Sequence, residues 1–154
     1  MRGRWALAPL AAALLLGVLF GLGAFTAGYA DATSYLRDDP RVCVNCHVMR
    51  DQYDAWKGGP HHAAATCNDC HVSTHPINHW VVKSDQGIRH STIFTLDIVP
   101  EPIRMIPRSV DVVQRNCVRC HSALVEDVVH SARDDGQPFD CIRCHASAGH
   151  GPTR

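Results

Sequence analysis

Residues 43–49 read "CVNCHVM", Cys43-Val44-Asn45-Cys46-His47-Val48-Met49. The Cys-x-x-Cys-His core recurs as "CNDCH" at 67–71, "CVRCH" at 117–121 and "CIRCH" at 141–145. These are followed by "VST", "SAL" and "ASA", so only the first motif carries a methionine two places past its histidine. The four motifs use all eight cysteines: Cys43, Cys46, Cys67, Cys70, Cys117, Cys120, Cys141 and Cys144. Eight cysteines can make four disulfides, and paired Cys-x-x-Cys can hold zinc. The residue after each second cysteine discriminates. It is His four times in four, in a chain with 11 His among 154 residues. Chance gives this on the order of a few times in 10⁵, which favours covalent haem attachment. Two thiols add to the haem vinyl groups, and the next imidazole reaches the iron.

The first and second motifs begin 24 residues apart, as do the third and fourth, and 74 residues separate the pairs. That repeat predicts two di-haem units. Four haems within residues 31–154 would themselves form most of the core. The expected fold is therefore mostly α with much irregular structure: one N-terminal transmembrane helix plus a compact tetrahaem c-type cytochrome domain. Pro100, Pro102 and Pro107 in "VPEPIRMIP" break any long helix between the units.

From Trp5 to Ala30 there is no charged residue. That run exceeds the roughly 20 residues needed to cross a bilayer as a helix. Arg2 and Arg4 precede it, and Asp31, Asp38 and Asp39 follow. The positive-inside rule then gives a cytoplasmic N-terminus at 1–4, an anchor at 5–30 and an exported domain at 31–154. Trp5 and Tyr29 suit the two headgroup regions of the inner membrane lipid. A signal peptide cleaved after Gly28-Tyr29-Ala30 is the competing reading. The run is longer than the roughly 7–15 apolar residues of a secretory signal, which favours a retained anchor. Fifteen basic residues balance fifteen acidic ones, so no nucleic-acid partner is indicated.

Four six-coordinate irons need eight axial ligands. His47, His71, His121 and His145 supply four at most. The remaining histidines are His61, His62, His75, His79, His90, His130 and His150. His62 lies five residues before Cys67, behind the "GGP" turn, and His150 five residues after His145, between glycines. Both are candidate distal ligands. His130 ranks below them, on a helix expected to open at Ser122, opposite the stripe Leu124, Val125, Val128, Val129 and Ala132. Met49 has two readings. It packs as a soft thioether, the reading its residue type favours, or it competes with His47 for one side of the first iron.

The single anchor, "CVNCHVM", "HHAAATCNDCH", "KSDQGIRHS" and "CIRCHASAGH" together resemble the NapC/NirT family of membrane-anchored c-type quinol dehydrogenases. The resemblance covers nearly the whole chain. It implies that Met49, with His47 displaced, binds the first haem iron, and that His62 and His150 are distal ligands. It implies a quinol pocket beside that haem, fed by the membrane quinol pool. It further implies a periplasmic multihaem nitrite reductase catalytic subunit as electron acceptor, whose lysine can ligate one haem. Periodicity adds its own support. On a helix over 80–94, Trp80, Lys83, Gly87, His90 and Phe94 share one face. Lys83 and His90 are thus candidate quinol-binding and proton-accepting groups. Some relatives carry an acidic residue where His90 stands. Other readings are the same role for a nitrate or trimethylamine N-oxide reductase, an electron shuttle that never meets quinol, and a structural zinc protein.

Overall fold

The computed structural model describes the backbone over residues 2–130 and 140–151, and the side chains over 7–126 and 140–151. The chain packs as two units, Met1–Arg37 and Asp38–Arg154.

The first unit is helix α1, Arg2–Tyr29, followed by a 3-10 turn at Ala32–Leu36. Leucine and alanine dominate α1 and favour helix. Its apolar side chains, Leu7 to Phe25, are exposed all round. A helix apolar on every side suits hydrocarbon, and 28 residues at about 1.5 Å each exceed the roughly 30 Å of a bilayer core. Pro9 lies within α1, a placement that membrane-spanning helices tolerate.

The second unit is helix and loop, with no strand among the described residues. Two 3-10 turns, Pro40–Asn45 and His47–Met49, lead into α2, Arg50–Lys57. Asp39 accepts from the Arg41 amide at 2.9 Å and Pro40 fills the first position, an ordinary helix start. Short α3, Cys67–His71, opens on a capping box in which Asp69 accepts from the Thr66 amide and hydroxyl, each at 2.7 Å. Helix α4 spans Pro76–Thr95, and Gly87 does not interrupt it.

Helix α5 runs over Pro107–His130, opening fifteen residues before the expected start at Ser122. Pro107 ends the linker, yet a proline at the first helical position is favourable, because its missing N–H would have had no intrahelical partner. The third haem motif is consequently in mid-helix. Leu124, on the expected apolar stripe, is 81% exposed. Asp140 caps α6, Cys141–Cys144, accepting from the amides of Ile142 at 3.0 Å and Arg143 at 3.2 Å.

Among the described residues only Trp56, Val72 and Val112 are buried apolar side chains. Amides from α5 supply much of the visible cohesion. Buried Asn116 donates to the carbonyls of Cys70 and Val72, both at 2.9 Å. Gln114 accepts from the Cys141 amide at 3.0 Å. The second half of the repeat thus grips the first, and the halves interlock.

Candidate haem and quinol sites

The eight cysteines form no disulfide. No group of three His, Cys, Asp or Glu side chains is placed to hold an ion directly among the described residues, so a zinc site finds no support there. The motifs instead neighbour one another in chain order. The Cys67 thiol donates a hydrogen bond to Cys43 Sγ, Cys70 lies within the field of Cys117 and Cys120, and Cys117 within that of Cys141.

Three motifs are helical: 67–71 is α3, 117–121 lies within α5, and 141–144 is α6 with His145 as its C-cap. The first differs. Cys46 is extended, at φ −89° and ψ 113°, and separates two 3-10 turns. His47 is exposed beyond this break, and Met49, its amide bonded to the Cys46 carbonyl at 2.9 Å, is half-buried.

Two pairs of imidazoles face each other across the fold. The rings of His71 and His150 have centroids 5.9 Å apart with planes at 30°. Those of His61 and His121 lie 6.1 Å apart at 89°. A metal between two imidazoles, bonded at about 2 Å to each, separates their centroids by about 6 Å, whatever the rotation about the bonds. The outer nitrogens are also held. His150 Nδ1 bonds to the Gln52 carbonyl at 2.9 Å, and His61 Nδ1 to that of Ala148 at 3.0 Å. Donation to a carbonyl fixes the tautomer and leaves Nε2 with the lone pair that a metal requires. Burial first, and then the charges of His150 and His90, push His71 down to about 4. It is therefore neutral at physiological pH. The residues present fit haem axial ligation.

His62, expected as a distal ligand, is exposed and lies edge-on to the Trp56 ring at 4.8 Å. Its neighbour His61, not selected from the sequence, is the one facing a motif histidine. Trp56 donates to the Ala65 carbonyl at 3.0 Å. The turn between them needs Gly59, where a Cβ would meet the Trp56 and Ala55 carbonyl oxygens at 3.2 and 3.3 Å. His145 is exposed. The side chain of His130 lies outside the described residues.

On α4, Lys83 donates to Asp38 Oδ1 at 2.9 Å and lies 5.6 Å from the centre of the Trp80 ring. Its charge also acts on Cys43 of the first motif. Asp38 Oδ1 further accepts from Asn68 at 2.6 Å and has His79 Nε2 at 3.9 Å. The bonds from Lys83 and Asn68 hold the Asp38 carboxyl below its usual range. His90 sits about 10 Å along the axis from Lys83. Desolvation, and then Arg89, lower its pKa, against an opposing effect of Asp85. Asp38, Asn68 and His79 were not anticipated from the sequence.

The chain matches the NapC/NirT cytochrome c family, N-terminal region, over residues 6–101. It is 31% identical over 150 residues to the cytochrome c-type protein NrfH of Wolinella succinogenes, covering 92% of this chain and 85% of the relative. It is 27% identical over 113 residues to the cytochrome c nitrite reductase subunit NrfH of Nitratidesulfovibrio vulgaris, covering 73% and 68%. A solved cytochrome c nitrite reductase NrfHA complex bound to the inhibitor HQNO contains a chain similar in fold, with TM-score 0.65, 26% identity and 92% of each chain covered.

Proposed function

Because this chain belongs to the NapC/NirT cytochrome c family, we propose that it is the membrane-anchored electron-transfer subunit of a cytochrome c nitrite reductase. In this reading it oxidises membrane quinol and passes the electrons to a periplasmic catalytic subunit. Covalent haem c, one at each of four motifs, supplies reversible one-electron carriage when bound. Residues 1–4 are cytoplasmic, 5–30 span the inner membrane, and 31–154 are periplasmic.

The observation that carries the reading is the two pairs of facing imidazoles, 5.9 and 6.1 Å apart, with one ring of each pair, His150 or His61, steadied by a backbone carbonyl. His71 and His150 would hold one iron, and His121 and His61 another. His61 takes the role expected of His62, because His62 lies against Trp56. His145 would hold the fourth iron, together with His130 or a lysine of the catalytic subunit. Met49 would hold the first iron in place of His47. A thioether raises haem potential above the bis-imidazole level, which suits an electron entry point. Contact between successive motifs supports transfer in chain order.

Quinol binds along the Lys83–His90 face of α4, with Lys83 holding one oxygen and His90 taking a proton at the other. Ile77, Val81 and Ile88, exposed at 61–71% on the adjoining face, support access from lipid. The test is to purify the full-length protein with its neighbouring catalytic subunit. Four covalent haems, reduced by a naphthoquinol and reoxidised by nitrite, are expected. Fewer than four haems, or reduction by dithionite but not by naphthoquinol, would sink the proposal.

A further inference from the structure

Quinol oxidation releases two protons, and the Lys83 end of the face needs a base of its own. Lys83 is an ammonium donor and cannot serve while protonated. His90 is about 10 Å away along the helix, at the other end of a bound ring. Within the same cluster, His79 Nδ1 bonds to the Ser73 carbonyl at 3.2 Å. With that nitrogen donating, Nε2 carries the lone pair and lies 3.9 Å from Asp38 Oδ1. Lys83 and Asn68 fix the same carboxylate oxygen at 2.9 and 2.6 Å. Trp80 touches both His79, at 5.3 Å between rings, and Lys83, at 5.6 Å. The charged groups around His79 are Asp38, from the segment ahead of Pro40, and Lys83, from its own helix.

We propose that His79 is the proton acceptor for the quinol hydroxyl held at Lys83, and that Asp38 is the positioning residue that aligns both groups. The inference rests on the quinol reading above. Proton and electron balance as follows. The O–H bond at the Lys83 end breaks, and its proton goes to His79 Nε2. The hydroxyl at the far end gives its proton to His90. The ring's two electrons would go one at a time to an oxidised c-type haem held at the first motif. The products are quinone, two protonated imidazoles and two electrons passed on. Asp38 stays a carboxylate beside the protonated ring, and the Ser73 carbonyl, bonded to Nδ1, holds the ring's orientation. Both histidines then release their protons to water.

The test uses the full-length protein with its catalytic subunit in liposomes, with 2,3-dimethyl-1,4-naphthoquinol as donor. His79→Gln should slow naphthoquinol-driven haem reduction at least about tenfold, within the range for losing a general base. It should also flatten the pH dependence of that rate. Affinity for the oxidised naphthoquinone, read by calorimetry, should stay within about twofold, because a proton acceptor adds little ground-state binding. Dithionite reduction and haem spectra should be those of the wild type. Asp38→Asn should slow the same step, and Asp38→Glu should recover part of it. Wild-type rates in His79→Gln, or a changed low-spin spectrum that makes His79 a haem ligand, would overturn the inference. Lys83→Met separates the two levels. Slow Lys83→Met with normal His79→Gln removes only this inference, whereas normal rates in both remove the quinol site.

Discussion

Cys46 adopts extended backbone where the corresponding cysteines of the other motifs are helical. That one torsional difference turns His47 outward and leaves Met49 half-buried. Met49→Leu should therefore change the spectrum and lower the potential of one haem, while His47→Ala leaves all four as they were. The reverse pattern would return the ligand role to His47. His61 and His62 illustrate the limit of sequence at this scale. Two adjacent identical residues behind a Gly-Gly-Pro turn carry no mark of which faces inward. The choice is made by Trp56, which takes the His62 ring, and by the Ala148 carbonyl, which takes His61 Nδ1. His61→Ala should convert one low-spin haem to high spin, and His62→Ala should not, as electron paramagnetic resonance would read. Asp38 gives a pH prediction. Its pKa is lowered in the fold, so the stability from its pairing is present above the unfolded value of 3.8 and is lost as pH falls through the lower folded value. The difference in thermal midpoint between wild type and Asp38→Asn should hold from pH 8 to 5 and shrink below about pH 4. Shrinkage already at pH 6 would contradict it.

At the scale of elements, α4 and α5 teach different lessons. The face shared by Trp80, Lys83, Gly87, His90 and Phe94 was legible because helical period alone defines it, and α4 is helical throughout. The start of α5 was misread because Pro107 was counted as a breaker. Proline breaks a helix that precedes it and opens one that follows. The haem motif within α5 hid the helix further, since its Cys and His are chosen for chemistry and blur the apolar period. Asp38 could not be singled out at all. Asp31 and Asp39 look the same in sequence, and only the meeting of the segment before Pro40 with α3 and α4 distinguishes it. Asn116 is the structural counterpart, a buried amide joining α5 to the end of α3. Asn116→Ala would strand two carbonyls. It should cost about 1–3 kcal/mol, as is typical for unsatisfied buried groups, measured by chemical denaturation of the haem-loaded protein. A cost below experimental error would mean water replaces the amide freely.

For the whole molecule, the anchor makes a physical claim that fractionation can check. The protein should stay with the membrane after alkaline carbonate washing and keep residues 1–30. Release into the supernatant, with a new N-terminus at Asp31, would favour the cleaved signal. The domain's closure is set by its last few described residues. His150 reaches the Gln52 carbonyl, 98 positions back, and the Ala148 carbonyl reaches His61, 87 positions back. Contacts so distant in sequence form late, because the loop between them must close first. Two facing pairs of rings, one from the second motif and one from the third, thus wait on the same final segment. A polypeptide cut short just before Ala148 would keep all four Cys-x-x-Cys-His motifs and yet lack the tail contacts that steady both pairs.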